Sequence, residues 1–211
     1  MRILLATLGF TPKFVIPTLT TEKGVDRLVL YYGEHKNCDA AKDEVAKVCR
    51  KMKVDLKLRK MREFDFMYIA TRMKADIEKY SQKHEIICFS ISGGTKLMSA
   101  AAMMVSVIEG VRAVYVHEKT FDVVPLPLLQ IPYTDNLTDM QRQILRLLHE
   151  NGSTMKLSEI REGIGKHKST TTHHIKELER KGVISLSNDE HDSRVKYVTM
   201  KESAALLVRF E

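Results

Sequence analysis

The sequence predicts an α/β fold: an open, mostly parallel sheet with flanking helices, then a small α+β unit of three helices and a hairpin. Three observations carry this. From Arg2 to about Glu118, short β-rich runs alternate with longer helical patterns, the signature of parallel strands joined by crossover helices. Pro125, Pro127 and Pro132 then fall within eight residues and end regular helix. Beyond them the periodicity becomes helix, helix, helix, then two alternating runs around a polar turn. The expected domains are 1–133 and 134–211, divided near Tyr133–Asn136.

In chain order, the strand candidates of the first part are Arg2–Leu8, Arg27–Tyr32, Val54–Leu58, Glu85–Ile91 and Arg112–His117. Helical patterns at Pro12–Thr20, Asp39–Lys51, Phe64–Lys83 and Lys96–Glu109 lie between them, and right-handed crossovers place these on both faces of the sheet. In the second part, Thr138 and Gln141 form a capping box that opens a helix. Ile144, Leu145, Leu147 and Leu148 make its buried stripe, and Asn151-Gly152 ends it. Leu157, Ile160 and Ile164 mark a second helix that stops near Gly165. Ser169 is positioned to cap a third over Thr170–Lys181, with Ile175 and Leu178 inward and Gly182 at its end. Val183–Leu186 and Arg194–Thr199 then alternate around a polar turn, giving a helix-turn-helix plus wing. Lys201–Arg209 reads as a closing amphipathic helix, packed on this domain or paired with a second copy.

Composition bounds the function. With 211 residues, 44% hydrophobic and 29% charged, the chain is an ordinary globular protein, not a disordered or disulfide-built one. Its formal net charge of +7 favours phosphate-bearing partners without naming one. Residues 1–133 hold 21 basic against 15 acidic residues, and Lys47–Arg62 alone holds eight Lys or Arg and one acid. A solvated helix end and edge strand is the plain reading of that run; a contribution to polyanion binding is the other. Cys38, Cys49 and Cys88 contain no C-x-x-C, so a reducing, cytoplasmic setting without disulfide or zinc ribbon is expected. The apolar start is shorter than a signal-peptide core and no run is long enough to span a membrane.

Ligands of open parallel sheets bind outside the carboxyl ends of the strands. Two loops qualify. The first, Thr7-Leu-Gly-Phe-Thr-Pro-Lys13, follows the first strand; the second is Ser92-Gly-Gly-Thr-Lys96. Paired glycines between a buried strand and a helix let successive N–H groups converge, and the helix N-terminus adds about half a positive charge. Ser92 and Thr95 add hydroxyls and Lys96 a cation, so an anion such as a ribose phosphate suits the turn. A tight turn with an ordinary N-cap explains the same residues. Neither G-x-x-x-x-G-K-[ST] nor G-x-G-x-x-G occurs here. The helix after this loop, Lys96–Ile108, has almost no polar face and needs cover on every side. A second subunit is the expected cover, and burial beneath Val123–Ile131 is the alternative. A two-fold axis beside this helix would join the loops of two subunits into one pocket for a symmetric polyanion.

Leu4-Leu-Ala-Thr-Leu-Gly-Phe10, with Ile91-Ser-Gly-Gly-Thr-Lys96 opening an apolar helix, resembles the CRISPR-associated Rossmann-fold (CARF) domain over about residues 1–131. The resemblance implies a Rossmann-like sheet in a homodimer that binds a cyclic oligoadenylate effector, such as cyclic tetra-adenylate. It also implies that Leu8, Gly9, Phe10 and Thr11 line the pocket while Ser92, Gly93, Gly94, Thr95 and Lys96 contact phosphate and ribose. Over about 137–200, and above all in Ser169–Ile184, the chain resembles winged-helix DNA-binding domains of prokaryotic regulators. This implies that Ser169, Thr170, Thr171, His173, His174 and Lys176 meet bases or phosphates of double-stranded DNA. Lys166 and Lys168 would grip the backbone, and Arg194 and Lys196 would serve from the wing. Asp189, Glu190 and Asp192 in the wing turn oppose phosphate, so two readers on one duplex are needed for useful affinity. His173-His174 diverge by about 100° on a helix and make a poor zinc pair. No metal or cofactor besides the effector is expected.

The expected protein is thus a dimeric, ligand-controlled transcription regulator, not an enzyme. The first rival is a CARF-type ring nuclease using Thr11 and Lys96, with no His or carboxylate in either loop as general base. The second is a regulator that answers another phosphorylated metabolite.

Overall fold

The computed structural model describes residues 1–128, 136–165, 168–189, 192 and 194–208. The chain divides into two compact units, Met1–Pro132 and Tyr133–Glu211. Most of the expected boundary near Tyr133–Asn136 lies outside the described residues.

The first unit is a six-stranded sheet in the order β3-β2-β1-β4-β5-β6. Its strands are β1 Arg2–Leu8, β2 Arg27–Tyr32, β3 Asp55–Lys60, β4 Glu85–Ser90, β5 Ala113–Val116 and β6 Val123–Pro125. The first five run parallel, and β6 pairs antiparallel with β5. β1 is central and buried from Ile3 to Leu8, as a near-continuous apolar run in a sheet covered on both faces must be. Its even residues, Leu4, Ala6 and Leu8, join a core with α1 (Ile16–Thr21) and α2 (Asn37–Met52) through Leu19, Ala41, Val45 and Cys49. On the other face, α3 (Phe66–Ser81) packs against α4 (Lys96–Glu109). Asp76 of α3 accepts from Arg59 Nε and Nη2 at 2.8 and 2.7 Å and from the Tyr31 hydroxyl at 3.1 Å, clasping two strands to that helix. Burial, then the Asp76 charge, pushes the Tyr31 hydroxyl well above its ordinary pKa, so it stays a donor.

In the first unit, the element boundaries depart from the sequence pattern in two informative places. The helix expected over Pro12–Thr20 is broken into a 3₁₀ turn, Pro12–Phe14, and the short α1, because Pro17 lacks an N–H and can only enter near a helix start. β3 is shifted two residues past Val54–Leu58 at its far end and forms the sheet edge, where Lys57 and Lys60 stand exposed. Lysines on an edge discourage pairing with other chains, which gives the basic run a structural use.

The second unit holds α5 (Asp139–Glu150), α6 (Leu157–Ile164) and α7 (Lys168–Arg180) with a three-stranded sheet in the order β7-β9-β8. The Thr138 and Gln141 capping box forms, each side chain bonding the other's backbone N–H at 3.2 Å. β8 (Ile184–Asn188) and β9 (Lys196–Met200) make the hairpin of the wing. β7 (Thr154–Lys156) pairs with β9 and has no sequence signature, being three residues long with only Met155 half-buried. Helix α7 begins at Lys168, so Ser169 lies inside it and is not its cap. The closing segment is a 3₁₀ helix, Glu202–Leu207, and not an amphipathic helix to Arg209, which lies outside the described residues. Ala204 and Val208 join the core of this unit, so the segment packs on its own domain.

Candidate functional site

The sheet order reverses at β1, whose neighbours β2 and β4 lead into helices on opposite faces. A cleft must open outside the carboxyl ends there. It has a volume of about 400 Å³ and is lined by Leu8, Gly9, Phe10, Gly33, His35, Cys38, Glu63, Phe64, Gly94, Thr95, Lys96 and Met98.

Two glycines bring the first and fourth strand loops together. A Cβ on Gly93 would overlap the Thr7 carbonyl oxygen, and one on Gly9 would stand 3.0 Å from Gly94 N. Gly94 itself sits at φ +80°, a conformation that side chains resist. Thr95 then caps α4, accepting from Met98 N at 3.2 Å and donating to the Glu63 carbonyl at 3.0 Å. The first-turn N–H groups of Lys96 and Leu97 have no intrahelical acceptor, and Lys96 is exposed at the cleft. Positive charge and free donors gather at this end.

Six of the nine sequence-predicted ligand residues line the cleft: Leu8, Gly9, Phe10, Gly94, Thr95 and Lys96. Three do not. Ser92 turns away, its Oγ accepting from Val116 N at 2.5 Å; Gly93 is buried against the Thr7 backbone; Thr11 caps the 3₁₀ turn through Lys13 N at 3.4 Å. Each is spent on holding the loops in place.

The other end of the cleft comes from loops that the sequence analysis left aside. His35 follows β2 and packs its ring against that of Phe10, tilted at 47° with the centroids 4.9 Å apart. Its Nδ1 accepts from Asn37 N at 3.1 Å, which leaves the neutral ring's proton on Nε2 as a donor. Glu63 and Phe64 follow β3, and Phe64 is 77% exposed at the rim. The expectation of no His or carboxylate holds for the two loops but not for the cleft, since sheet order imports both. Burial pushes the Cys38 thiol up, the Gly33 backbone hydrogen bond opposing, so this cysteine is an apolar wall and not a nucleophile.

Outside the cleft, α4 carries a second face. Met98, Ala101, Ala102, Val105 and Ile108 are buried, while Leu97, Met103 and Val107 are 37%, 40% and 41% exposed along one stripe. Of the alternative cover, Val123–Ile131, only Val123–Leu128 lies within the described residues, and the three side chains remain exposed with it in place.

In the second unit, Ser169, Thr170, His173 and Lys176 are exposed on α7, and His174 is half-buried. Thr171 corrects the expectation. It is fully buried, on the inward stripe with Ile175 and Leu178 at helical spacing, and cannot reach a base there. Its neighbour Thr172 accepts from Arg161 Nη2 at 3.0 Å. Arg194 precedes β9 and is held by Asp192, Nε to Oδ1 at 3.0 Å and Nη2 to Oδ2 at 3.1 Å; Lys196 is exposed. Lys166 and the side chain of Lys168 lie outside the described residues, as does Glu190. The His173 and His174 rings stand 5.6 Å apart, and no group of three metal-ligating side chains occurs among the described residues. No described helix is long and apolar enough to cross a membrane.

A family model described as CRISPR-associated protein (Cas_APE2256) matches residues 7–129, which is most of the first unit and more than half of the chain. The chain belongs to this CRISPR-associated family. Its CARF-type domain is fused to a winged helix, for residues 137–196 match the MarR family. Solved structures similar to the chain include YusO of Bacillus subtilis, 26% identical, covering 34% of this chain and 50% of its own, with a TM-score of 0.32. Bordetella bronchiseptica BpsR, whose DNA binding is regulated by 6-hydroxynicotinic acid, is 26% identical over 36% of this chain and 58% of its own, TM-score 0.33. AbsC, a MarR family transcriptional regulator from Streptomyces coelicolor, is 25% identical over 36% and 51%, TM-score 0.34. The chain thus spans about half the length of these structures. No curated protein matches it.

Proposed function

We propose that this protein is a ligand-responsive, CRISPR-associated transcription regulator. Residues 1–133 sense a cyclic oligoadenylate, cyclic tetra-adenylate in the first instance, and residues 134–211 bind double-stranded DNA. One observation carries the reading: a glycine turn, a helix N-terminus and Lys96 converge on a cleft in the same chain as a MarR-type winged helix. The exposed stripe of Leu97, Met103 and Val107 supports a homodimer through α4. Two clefts beside that axis then meet one symmetric ring, and two α7 helices meet one duplex, Ser169, Thr170, His173 and Lys176 facing the groove. A ligand changes DNA affinity only by binding one dimer geometry better than another, a coupling of about 1–3 kcal/mol.

Calorimetric titration with cyclic tetra- and hexa-adenylate, against linear oligoadenylates and mononucleotides, tests it. One ring per two chains is expected, and Lys96→Ala weakens it about tenfold or more, as loss of a charge-assisted phosphate contact does. Equal binding of mononucleotides would replace the effector with another phosphorylated metabolite.

A second reading, slow cleavage of the ring, draws on the carboxylate of Glu63 in the cleft. Deprotonation of a ribose 2′-hydroxyl lets its oxygen attack the adjacent phosphorus, forming a 2′,3′-cyclic phosphate as the bond to the 5′-oxygen breaks and that oxygen takes a proton. Linear products from labelled cyclic tetra-adenylate would favour it; intact ring after many hours leaves the regulator alone.

A further inference from the structure

The cleft has two chemically unlike ends, and the carboxylate of Glu63 is the feature a phosphate site does not need. A carboxylate beside a polyanion is repulsive unless it meets a neutral donor on that ligand. Its position is built. The Glu34 N–H donates to Glu63 Oε2, and the absence of a side chain on Gly33 makes the room, since a Cβ there would overlap this carboxylate. Oε1 has no hydrogen-bond partner among the described residues and belongs to a cleft-lining side chain. The Thr95 hydroxyl holds the Glu63 carbonyl at 3.0 Å, so this acid lies next to the N-cap of α4, where the phosphate end begins. The same cleft is lined by the rings of Phe10 and His35, tilted at 47° with centroids 4.9 Å apart, and by Phe64 at the rim.

One cleft thus holds a cation with free amides, one spare carboxylate oxygen and aromatic rings, the three chemistries that phosphate, sugar and base in a nucleotide call for. The neutral donor covalently nearest a phosphate is a sugar hydroxyl. We propose that Glu63 reads the ribose: its Oε1 accepts the 2′-hydroxyl of a nucleotide whose phosphate lies at Gly94–Lys96 and whose base lies against Phe10 and His35. The inference rests on the nucleotide reading above and adds a filter to it. Glu63 rejects sugar-free polyphosphate by charge and 2′-deoxy ligands by leaving a desolvated carboxylate oxygen unpaired.

The test is calorimetric titration of the full chain with cyclic tetra-adenylate and with the same ring carrying 2′-fluorine, which keeps size and pucker but donates no hydrogen bond. Wild type should prefer the hydroxyl ring by roughly 10–100-fold. In Glu63→Gln the amide oxygen still accepts from Glu34 N–H, so the loop is kept and an NH₂ faces the ligand. The preference should then shrink to about threefold or less, with the fluorinated ring gaining affinity as the like charge disappears. Equal binding of the two rings to wild type, or an undiminished preference in Glu63→Gln, overturns the role of Glu63 while leaving the nucleotide site standing. Binding of neither ring to wild type overturns both.

Discussion

Gly93 and Thr7 touch backbone to backbone, and this contact seats the fourth strand's loop on the first strand's end. Gly93→Ala places a methyl group on the Thr7 carbonyl oxygen, and neither neighbour is a flexible side chain that can yield. Overpacking of this kind costs about 1–3 kcal/mol. Thermal unfolding of the full chain should show a Tm lowered by several degrees, with nucleotide binding lost as the two loops part. An unchanged Tm would contradict the contact.

Met103→Glu sets a charge in the exposed apolar stripe of α4 without touching its buried face. Sedimentation should turn from dimer to monomer, and ring binding and DNA binding should fall together, because both need the paired subunit. Persistence of the dimer would move the two-fold axis elsewhere.

Thr171 and Lys176 lie five residues apart on α7 and have opposite fates. The Thr171 hydroxyl is buried without a hydrogen-bond partner among the described residues, a burden of about 1–3 kcal/mol. Thr171→Val should therefore keep or raise stability and leave DNA affinity unchanged. Lys176→Ala should weaken DNA binding and lower the slope of log affinity against log salt by about one. Gel-shift titrations over a range of salt read both.

Asp192 holds Arg194 at the wing, and the pair lowers the pKa of the acid by hydrogen bonding from that arginine. Asp192→Asn frees the guanidinium for phosphate and removes a like charge. DNA affinity should rise, with a steeper salt dependence. A wing that does not touch DNA would show neither change.

Burial pushes the Cys49 and Cys88 thiols up to about 11 from an ordinary value near 9. The folded state then holds protons that the unfolded chain gives up earlier. Stability should be full below about pH 9 and fall as the pH rises through 11. Denaturant midpoints measured from pH 7 to 11 check the sign, and replacing both by Ser or Ala should flatten this limb of the profile. At neutral pH a thiol reagent should reach these cysteines only when the chain unfolds.

Local signals were strong where one residue's own conformation decides the outcome. Gly94 at positive φ, the Thr95 and Thr138 caps and the near-continuous apolar run of β1 all announce themselves, because backbone sterics, orphan N–H groups and burial act within a few residues. Pro17 shows the limit of pattern over sterics, since an apolar periodicity suggested one helix where a ring forces two pieces. β7 had no signal at all, because three residues pair only when β9 is already there to receive them.

The amino-acid order alone determined the parallel strands β1 to β5, the glycine turn with its helix, the winged helix and hence the family. Tertiary structure decided which side chains share the cleft. His35 and Glu63 reach it only because β2 and β3 lie beside β1 in the sheet, and Ser92 and Thr11 leave it because their hydroxyls are taken by backbone N–H groups. Periodicity reports the inward face of an element, but loops from different strands meet by strand order, a property of non-local pairing that no single segment contains.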